Sequence, residues 1–295
     1  MRYFVTGSTG WIGSAVVSEL LAHGHQVLGL TRSDTGADTL AAQGAEPLRG
    51  DLNDLDSLRS GAAATDGVVH LAYHHDFAQM PEAARMDRAA MAAMGEVLTG
   101  TGKPFVFASG VLGLATGRLG TEADSPDPSV HPRVGNAAAV LALADKGVRV
   151  AAARFAPTVH GAGDHGFVST LVAVARERGV SAYVGDGSNR WPAVHRLDAA
   201  TLVRLGLENA PGGAVLHAVA EEGVPAREIA EAIGRGLGLP VESVPAGKAA
   251  EHFGWIGGFF AADAPVSSEV TRRTYGWEPA HPGLIADLDA GYYFK

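Results

Sequence analysis

The sequence predicts an α/β fold, a doubly wound parallel sheet with a smaller C-terminal cap. Three observations predict it. Short apolar runs alternate with longer amphipathic segments, the central runs are apolar throughout, and a glycine-rich turn joins the first run to the first helix. The runs lie near 2–6, 26–31, 45–49, 67–72, 103–108 and 148–155, with helical segments near 11–23, 35–43, 54–61, 80–100 and 133–147 between them. Gly67-Val68-Val69-His70-Leu71-Ala72 and Pro104-Phe105-Val106-Phe107-Ala108 are continuous rather than alternating, as in strands buried on both faces. Strand–helix alternation with short connections implies βαβ units and a Rossmann-type sheet.

Beyond Phe155 the rhythm changes. Glycines at 161, 163, 166, 179, 185 and 187 surround one helical stretch, 167–178. A helix near 198–209, a strand near 214–219 and a helix opening after Pro225 follow. The tail, 241–295, has too little apolar periodicity to fold alone and is expected to pack over the core. The expected division is a Rossmann domain of residues 1–156, rejoined by about 194–219, and a substrate-binding cap of 157–193 and 220–295. Trp255, Phe259 and Phe260 stand at near-helical spacing. They are expected in the cap's core, with the lining of an apolar pocket as the alternative.

Composition narrows the function. The 295 residues carry 32 acidic and 23 basic side chains, a formal charge of −9. The absence of cysteine excludes disulfide scaffolds, thiolate zinc sites and cysteine nucleophiles. The deficit of basic residues argues against nucleic acid, and no basic run is long enough to hold an anionic membrane. No uncharged stretch reaches the ~18–20 apolar residues of a spanning helix, and the chain opens directly on Met1-Arg2-Tyr3-Phe4-Val5-Thr6 with no leader pattern. The expectation is a soluble cytoplasmic protein with a small-molecule substrate and no nucleic-acid or membrane partner, a homodimer being left open.

The chemistry-bearing motif is Thr6-Gly7-Ser8-Thr9-Gly10-Trp11-Ile12-Gly13, which follows an apolar strand and opens a helix. Gly7 permits the tight turn, Gly10 lets backbone approach a pyrophosphate, and Gly13 lets helix and strand pack closely. The helix N-terminus offers free N–H groups to phosphates. The motif therefore predicts dinucleotide binding. The second strand ends in Leu30-Thr31-Arg32-Ser33. An acid there would hold a ribose 2′-OH, whereas Arg32 suits a 2′-phosphate, so NADP(H) is expected in preference to NAD(H), although Asp34 stands two residues on.

These residues carry a resemblance to the extended short-chain dehydrogenase/reductase (SDR) family. It runs through the glycine loop, Gly50-Asp51-Leu52-Asn53-Asp54, Val69-His70-Leu71-Ala72 and Phe107-Ala108-Ser109-Gly110. It continues in Arg154-Phe155-Ala156-Pro157-Thr158-Val159-His160-Gly161, Gly185-Asp186-Gly187, Val194-His195-Arg196-Leu197-Asp198-Ala199-Ala200 and Tyr275-Gly276-Trp277-Glu278-Pro279. The resemblance implies that Asp51 and Leu52 flank the adenine, that Leu71 and Ala72 line the cofactor, and that Phe155 and Pro157 sit beside the nicotinamide.

The resemblance breaks at the family's proton donor, the Tyr of a Y-x-x-x-K pair. The residues four before Lys103, Lys146, Lys248 and Lys295 are Thr99, Ala142, Val244 and Gly291, so no such pair exists. Arg133 or Val134 takes the Tyr place and Ala137 or Ala138 the Lys place, while Asp87 stands where the family usually has Asn. The chain thus looks like the atypical SDR subgroups. Four residues are candidates for the missing acid. Ser109 ends the fifth strand and can donate to a carbonyl; Tyr73 follows the fourth and can relay a proton. His160 is of a residue type that can exchange a proton near neutral pH, and Arg133 can stabilise an oxyanion or bind a cofactor or substrate phosphate. The first three also have plain structural readings, as a strand-end cap, a packing aromatic and a loop histidine. His74-His75-Asp76 is the densest metal-like cluster, but adjacent side chains diverge and no H-x-x-x-H spacing supports it, so no metal is expected.

The leading expectation is an NADP(H)-dependent oxidoreductase acting on a small carbonyl or alcohol. The alternatives are a sugar-type epimerase or dehydratase, against which the missing pair weighs, and a non-catalytic NADP-sensing or partner-binding protein.

Overall fold

The computed structural model describes residues 1–74, 79–127 and 132–295. The first half is a run of βα units: β1 (Arg2–Thr6), α1 (Trp11–Ala22), β2 (Gln26–Thr31), α2 (Asp34–Gln43), β3 (Glu46–Arg49), α3 (Leu55–Ala63), β4 (Gly67–His70), α4 (Met80–Leu98), β5 (Pro104–Gly110), α5 (Pro132–Leu141) and β6 (Arg149–Phe155). Local chemistry sets the helix ends. Ser33 caps α2 by accepting from the Gly36 amide, Asp54 caps α3 by accepting from the Ser57 amide, and Gly44 ends α2 in the left-handed region at φ 90°. The helix expected over 133–147 stops at Leu141 and tightens into a 3₁₀ turn over Ala142–Lys146. Gly147, at φ 75°, then turns the chain into β6.

The second half adds β7 (Thr158–His160), α6 (Phe167–Arg178), β8 (Ser181–Val184), β9 (Arg190–His195), α7 (Arg196–Asn209), β10 (Ala214–Ala218), β11 (Glu221–Pro225), α8 (Ala226–Leu237), β12 (Val241–Val244) and four short helices, α9 (Ala249–Phe253), α10 (Gly257–Phe260), α11 (Glu269–Tyr275) and α12 (Leu284–Asp289). The main sheet has seven strands in the order β10-β6-β5-β4-β1-β2-β3, and every pairing in it is parallel. Helices cover both faces, and strand order reverses beside β1, where sheets of this kind bind ligands at the carboxyl edge.

One face packs Val16, Val17 and Leu20 of α1 and Leu202 and Val203 of α7 on Val5, Val69, Val106 and Ala151. The other packs Leu58 of α3, Met91 and Met94 of α4 and Val140 of α5 on Phe4, Val68, Phe105 and Phe107. A separate cluster of Leu171, Trp191, Ile229, Phe253, Phe260 and Leu284 gathers the later elements around two small sheets, β11-β9-β7 and β12-β8. Phe260 is buried there, whereas Trp255 and Phe259 stay exposed on its surface. Among the described residues no helix is long and apolar enough to cross a membrane.

Candidate functional site

The glycine loop is built by close backbone approach. Gly7 holds φ +67°, and a Cβ on it would lie 2.7 Å from the Ala72 nitrogen; one on Gly13 would lie 1.9 Å from the Gly7 carbonyl oxygen. The turn is therefore pressed against both the end of β4 and the start of α1. The Ser8 hydroxyl donates to the Leu30 carbonyl at 2.8 Å, tying the loop to β2, while Thr9 is exposed and Ile12 half-buried. The Trp11 indole donates to the Val159 carbonyl at 2.7 Å. Gly10 caps α1 without a side-chain bond, and no acid occupies its first turn. The leading amides of α1 are thus left for an anion, which fits a dinucleotide pyrophosphate.

Around the loop, Arg32 is exposed at the end of β2, and Asp34 lies 3.5 Å from the Arg49 guanidinium. Asp51 accepts from the Asn53 amide at 2.7 Å and the Asp54 amide at 3.2 Å, closing the turn that carries Leu52. The Leu71 amide donates to the Thr6 carbonyl and the Ala72 amide to the Thr6 hydroxyl, both at 3.3 Å. Phe155 ends β6 buried, with Pro157 half-buried beyond it.

A buried polar chain runs from this loop to α5. Thr6 Oγ1 lies 2.8 Å from His70 Nδ1, His70 Nε2 lies 3.2 Å from Asp87, and the Asn136 amide donates to the Ala84 carbonyl at 2.7 Å and to Asp87 at 3.3 Å. All four side chains are at most 4% exposed. Donors and acceptors balance when His70 carries its proton on Nε2. The Ala72 amide then donates to Thr6, Thr6 to Nδ1, and Nε2 to the carboxylate. Sequence reading marked Asp87 only as a departure from the family. The partner relation was invisible because Thr6, His70, Asp87 and Asn136 come from four different elements.

Two of the candidate acids meet. The Arg133 guanidinium carbon lies 4.0 Å from the centroid of the Tyr73 ring. Burial pushes the Tyr73 phenol above its usual value, Arg133 works against that rise, and Asp87 adds to it. Ser109 is half-buried and stands in register with Arg154 of β6, which is in register with His217 of β10, so the three form one cross-strand row. Arg154 is buried and donates to the Asp124 carbonyl at 2.8 Å and to His217 Nε2 at 3.4 Å.

His160 is a correction. It is fully buried, with Nδ1 2.6 Å from the Asp287 carboxylate, and it meets the His195 ring edge-on at 5.5 Å. A side chain sealed from solvent and bonded to α12 does not reach a substrate, so the expectation of a proton donor there gives way to a structural pair. His75 and Asp76 of the histidine run lie outside the described residues. Another group, His195, Asp198 and His281, has ligand atoms within 4.8 Å of one another. Several of its atoms are already hydrogen-bonded. Asp198 accepts from the Ala280 and His281 amides and from His281 Nδ1, His195 Nδ1 accepts from the Leu197 amide, and the two rings stack at 4.8 Å. The group ties the chain around residue 281 to the start of α7.

Burial holds both His195 and His217 below the usual histidine value. The folded protein therefore keeps them neutral while the unfolded chain binds protons first. Stability is full above about pH 6.5 and is lost as the pH falls toward the folded values. The melting temperature is expected to drop as the pH falls below about 6.5. His217→Asn, which keeps a donor for the Ser267 carbonyl, is expected to shrink that drop. Equal acid sensitivity in both proteins would contradict this.

The comparisons agree with this geometry. The model of the NAD dependent epimerase/dehydratase family matches residues 3–220. An uncharacterized protein of Schizosaccharomyces pombe is 48% identical over 296 residues, covering 100% of both chains, and one of Saccharomyces cerevisiae is 45% identical, covering 99% of each. The Thermus thermophilus UDP-glucose 4-epimerase complex with NAD superposes with a TM-score of 0.77 at 21% identity, covering 100% of this chain and 99% of its own. The Streptomyces venezuelae dTDP-glucose 4,6-dehydratase with NAD bound gives 0.78 at 20%, covering 99% and 96%. At such identities the structures speak for the fold alone. With a parallel sheet, a glycine loop seated for a pyrophosphate and a family match over most of its length, this chain belongs to the NAD dependent epimerase/dehydratase family, within the extended SDR class.

Proposed function

We propose that the protein is a cytoplasmic NADP(H)-dependent oxidoreductase acting on a small carbonyl or alcohol. In this reading residues 157–193 and 220–295 form the cap over the substrate. The observation that carries it is the Tyr73–Arg133 pair at 4.0 Å. A tyrosine with a nearby cation is what the missing Y-x-x-x-K pair supplies in relatives; here an arginine of α5 lies over the ring of a tyrosine that follows β4. When bound, the nicotinamide supplies or accepts the hydride. The chain's own residues then manage the oxygen. Ser109 donates a hydrogen bond to the carbonyl oxygen, Arg133 steadies the negative charge that develops on it, and the Tyr73 hydroxyl gives it the proton. The buried Thr6-His70-Asp87-Asn136 chain holds the glycine loop, α4 and α5 in one arrangement, which supports a fixed distance between cofactor and Arg133.

The choice of NADP(H) rests on Arg32, which makes no ion pair among the described residues, while Asp34 is drawn toward Arg49. A cation freed in this way suits a 2′-phosphate. NADPH is expected to bind more tightly than NADH, and Arg32→Ala to remove about 1.5–3 kcal/mol of that preference, roughly tenfold to a hundredfold in affinity. Titrating both cofactors into both proteins tests it; equal affinities in the wild type would sink the preference. NADPH bound tightly but never turned over, across a carbonyl panel, would favour a sensor over a reductase.

A further inference from the structure

We infer that Arg196 is a further residue of the dinucleotide site, a cation for the cofactor's pyrophosphate beside the first turn of α1. The inference rests on the dinucleotide reading above and adds a residue that the glycine motif does not contain.

Arg196 opens α7, directly after β9, on the sheet face where α7 packs beside α1. Its guanidinium carbon lies 4.1 Å from the centroid of the Trp11 ring, and Nη2 donates to the Ser14 hydroxyl at 3.3 Å. Trp11 and Ser14 are the first and fourth residues of α1, so the cation lies against the helix start. The platform under it is fixed. The Trp11 indole is bonded to the Val159 carbonyl, and His165 meets the ring edge-on at 5.7 Å.

Arg196 has neither a carboxylate nor a carbonyl partner among the described residues. Arg204, two turns along the same helix, lies between Glu19 and Glu208, at 2.8 Å from each, and Arg190 is paired with Asp263 at 2.9 Å. Arg196 is half-buried, yet among the described residues it has only a hydroxyl and an aromatic face. Burial lowers its pKa, and no carboxylate offsets that. The adjacent helix start repeats the pattern, having neither a side-chain cap nor an acid in its first turn. A desolvated guanidinium and uncapped amides on one turn of helix are matched by an anion with several acceptor oxygens. In a dinucleotide site that anion is the pyrophosphate.

The test compares wild type, R196Q and R196K by calorimetric titration with NADPH, with ADP-ribose, which keeps the pyrophosphate, and with adenosine, which lacks it. R196Q is expected to bind ADP-ribose and NADPH about tenfold to a hundredfold more weakly, with a shallower salt dependence and unchanged adenosine binding. R196K, which keeps the charge and stem, is expected to retain the wild-type salt dependence. It guards the test should R196Q melt early. ADP-ribose and NADPH bound by R196Q as by wild type, with the same salt dependence, would overturn the inference while leaving the dinucleotide site intact. So would weaker binding of UDP-glucose with ADP-ribose unaffected, which would move the arginine to the substrate. Wild type that binds neither NADPH nor ADP-ribose would overturn the dinucleotide reading itself, and the inference with it.

Discussion

Gly13→Ala is expected to remove dinucleotide binding, by at least about a hundredfold, and to destabilise the fold by about 1–3 kcal/mol. The added Cβ would sit 1.9 Å from the Gly7 carbonyl oxygen, 2.7 Å from the Gly7 carbonyl carbon and 3.2 Å from the Ser8 Cα, all of them backbone. Nothing there is the movable end of a side chain, so relief requires α1 and the loop to part. That displaces both the turn and the amides that would face the phosphates. Gly247→Ala is the control, since a Cβ there meets nothing within 4 Å, and its effect is expected to stay within about 0.5 kcal/mol. Thermal melts with cofactor titration check both variants. Wild-type affinity in a folded Gly13→Ala protein would show that the loop is not the binding element.

The second large effect concerns the proton. Tyr73→Phe is expected to lower kcat by about 10²–10⁴-fold, some 2.7–5.5 kcal/mol of barrier, because the ring and its contact with Arg133 survive while the proton is lost. Ser109→Ala is expected to cost about 10–10³-fold, roughly 1.4–4 kcal/mol, through one hydrogen bond to the developing oxyanion. The pH dependence follows from the direction of the Tyr73 shift. Burial raises the phenol, so it stays protonated through the neutral range. The rate should then be flat there and fall only above about pH 10. Arg133→Met removes the group that opposes the rise, so the alkaline limb should move further up while kcat falls. A rate for Tyr73→Phe equal to wild type would remove the tyrosine from the mechanism.

Much of the core was legible because its signals are local. Continuous apolar runs gave β4 and β5 to within a few residues, and the glycine turn sits where strand passes to helix. The small sheets were not legible. β7, β8 and β12 span three or four residues each, and Pro192 interrupts the pattern of β9. Segments so short carry no period, and their pairing depends on partners far along the chain. The same reason governs the site. Gly7, Gly10 and Gly13 are read from spacing, whereas Tyr73 and Arg133 meet only because two crossovers bring β4 and α5 to one edge. His160 shows the converse. Its type and position suggested chemistry, but it is fully buried and bonded to Asp287, 127 residues later.

The central claim is that this family member transfers hydride even though it lacks the Y-x-x-x-K pair. The most direct measurement follows the reduced nicotinamide's absorbance when a stoichiometric charge of NADPH is mixed with wild type, Tyr73→Phe and Arg133→Met over a panel of small aldehydes and ketones. The account predicts that at least one carbonyl is reduced by the wild type, and that the same carbonyl is reduced at least about a hundredfold more slowly by Tyr73→Phe at unchanged NADPH affinity. NADPH bound by all three proteins and consumed by none, or consumed at one rate by all three, would contradict it.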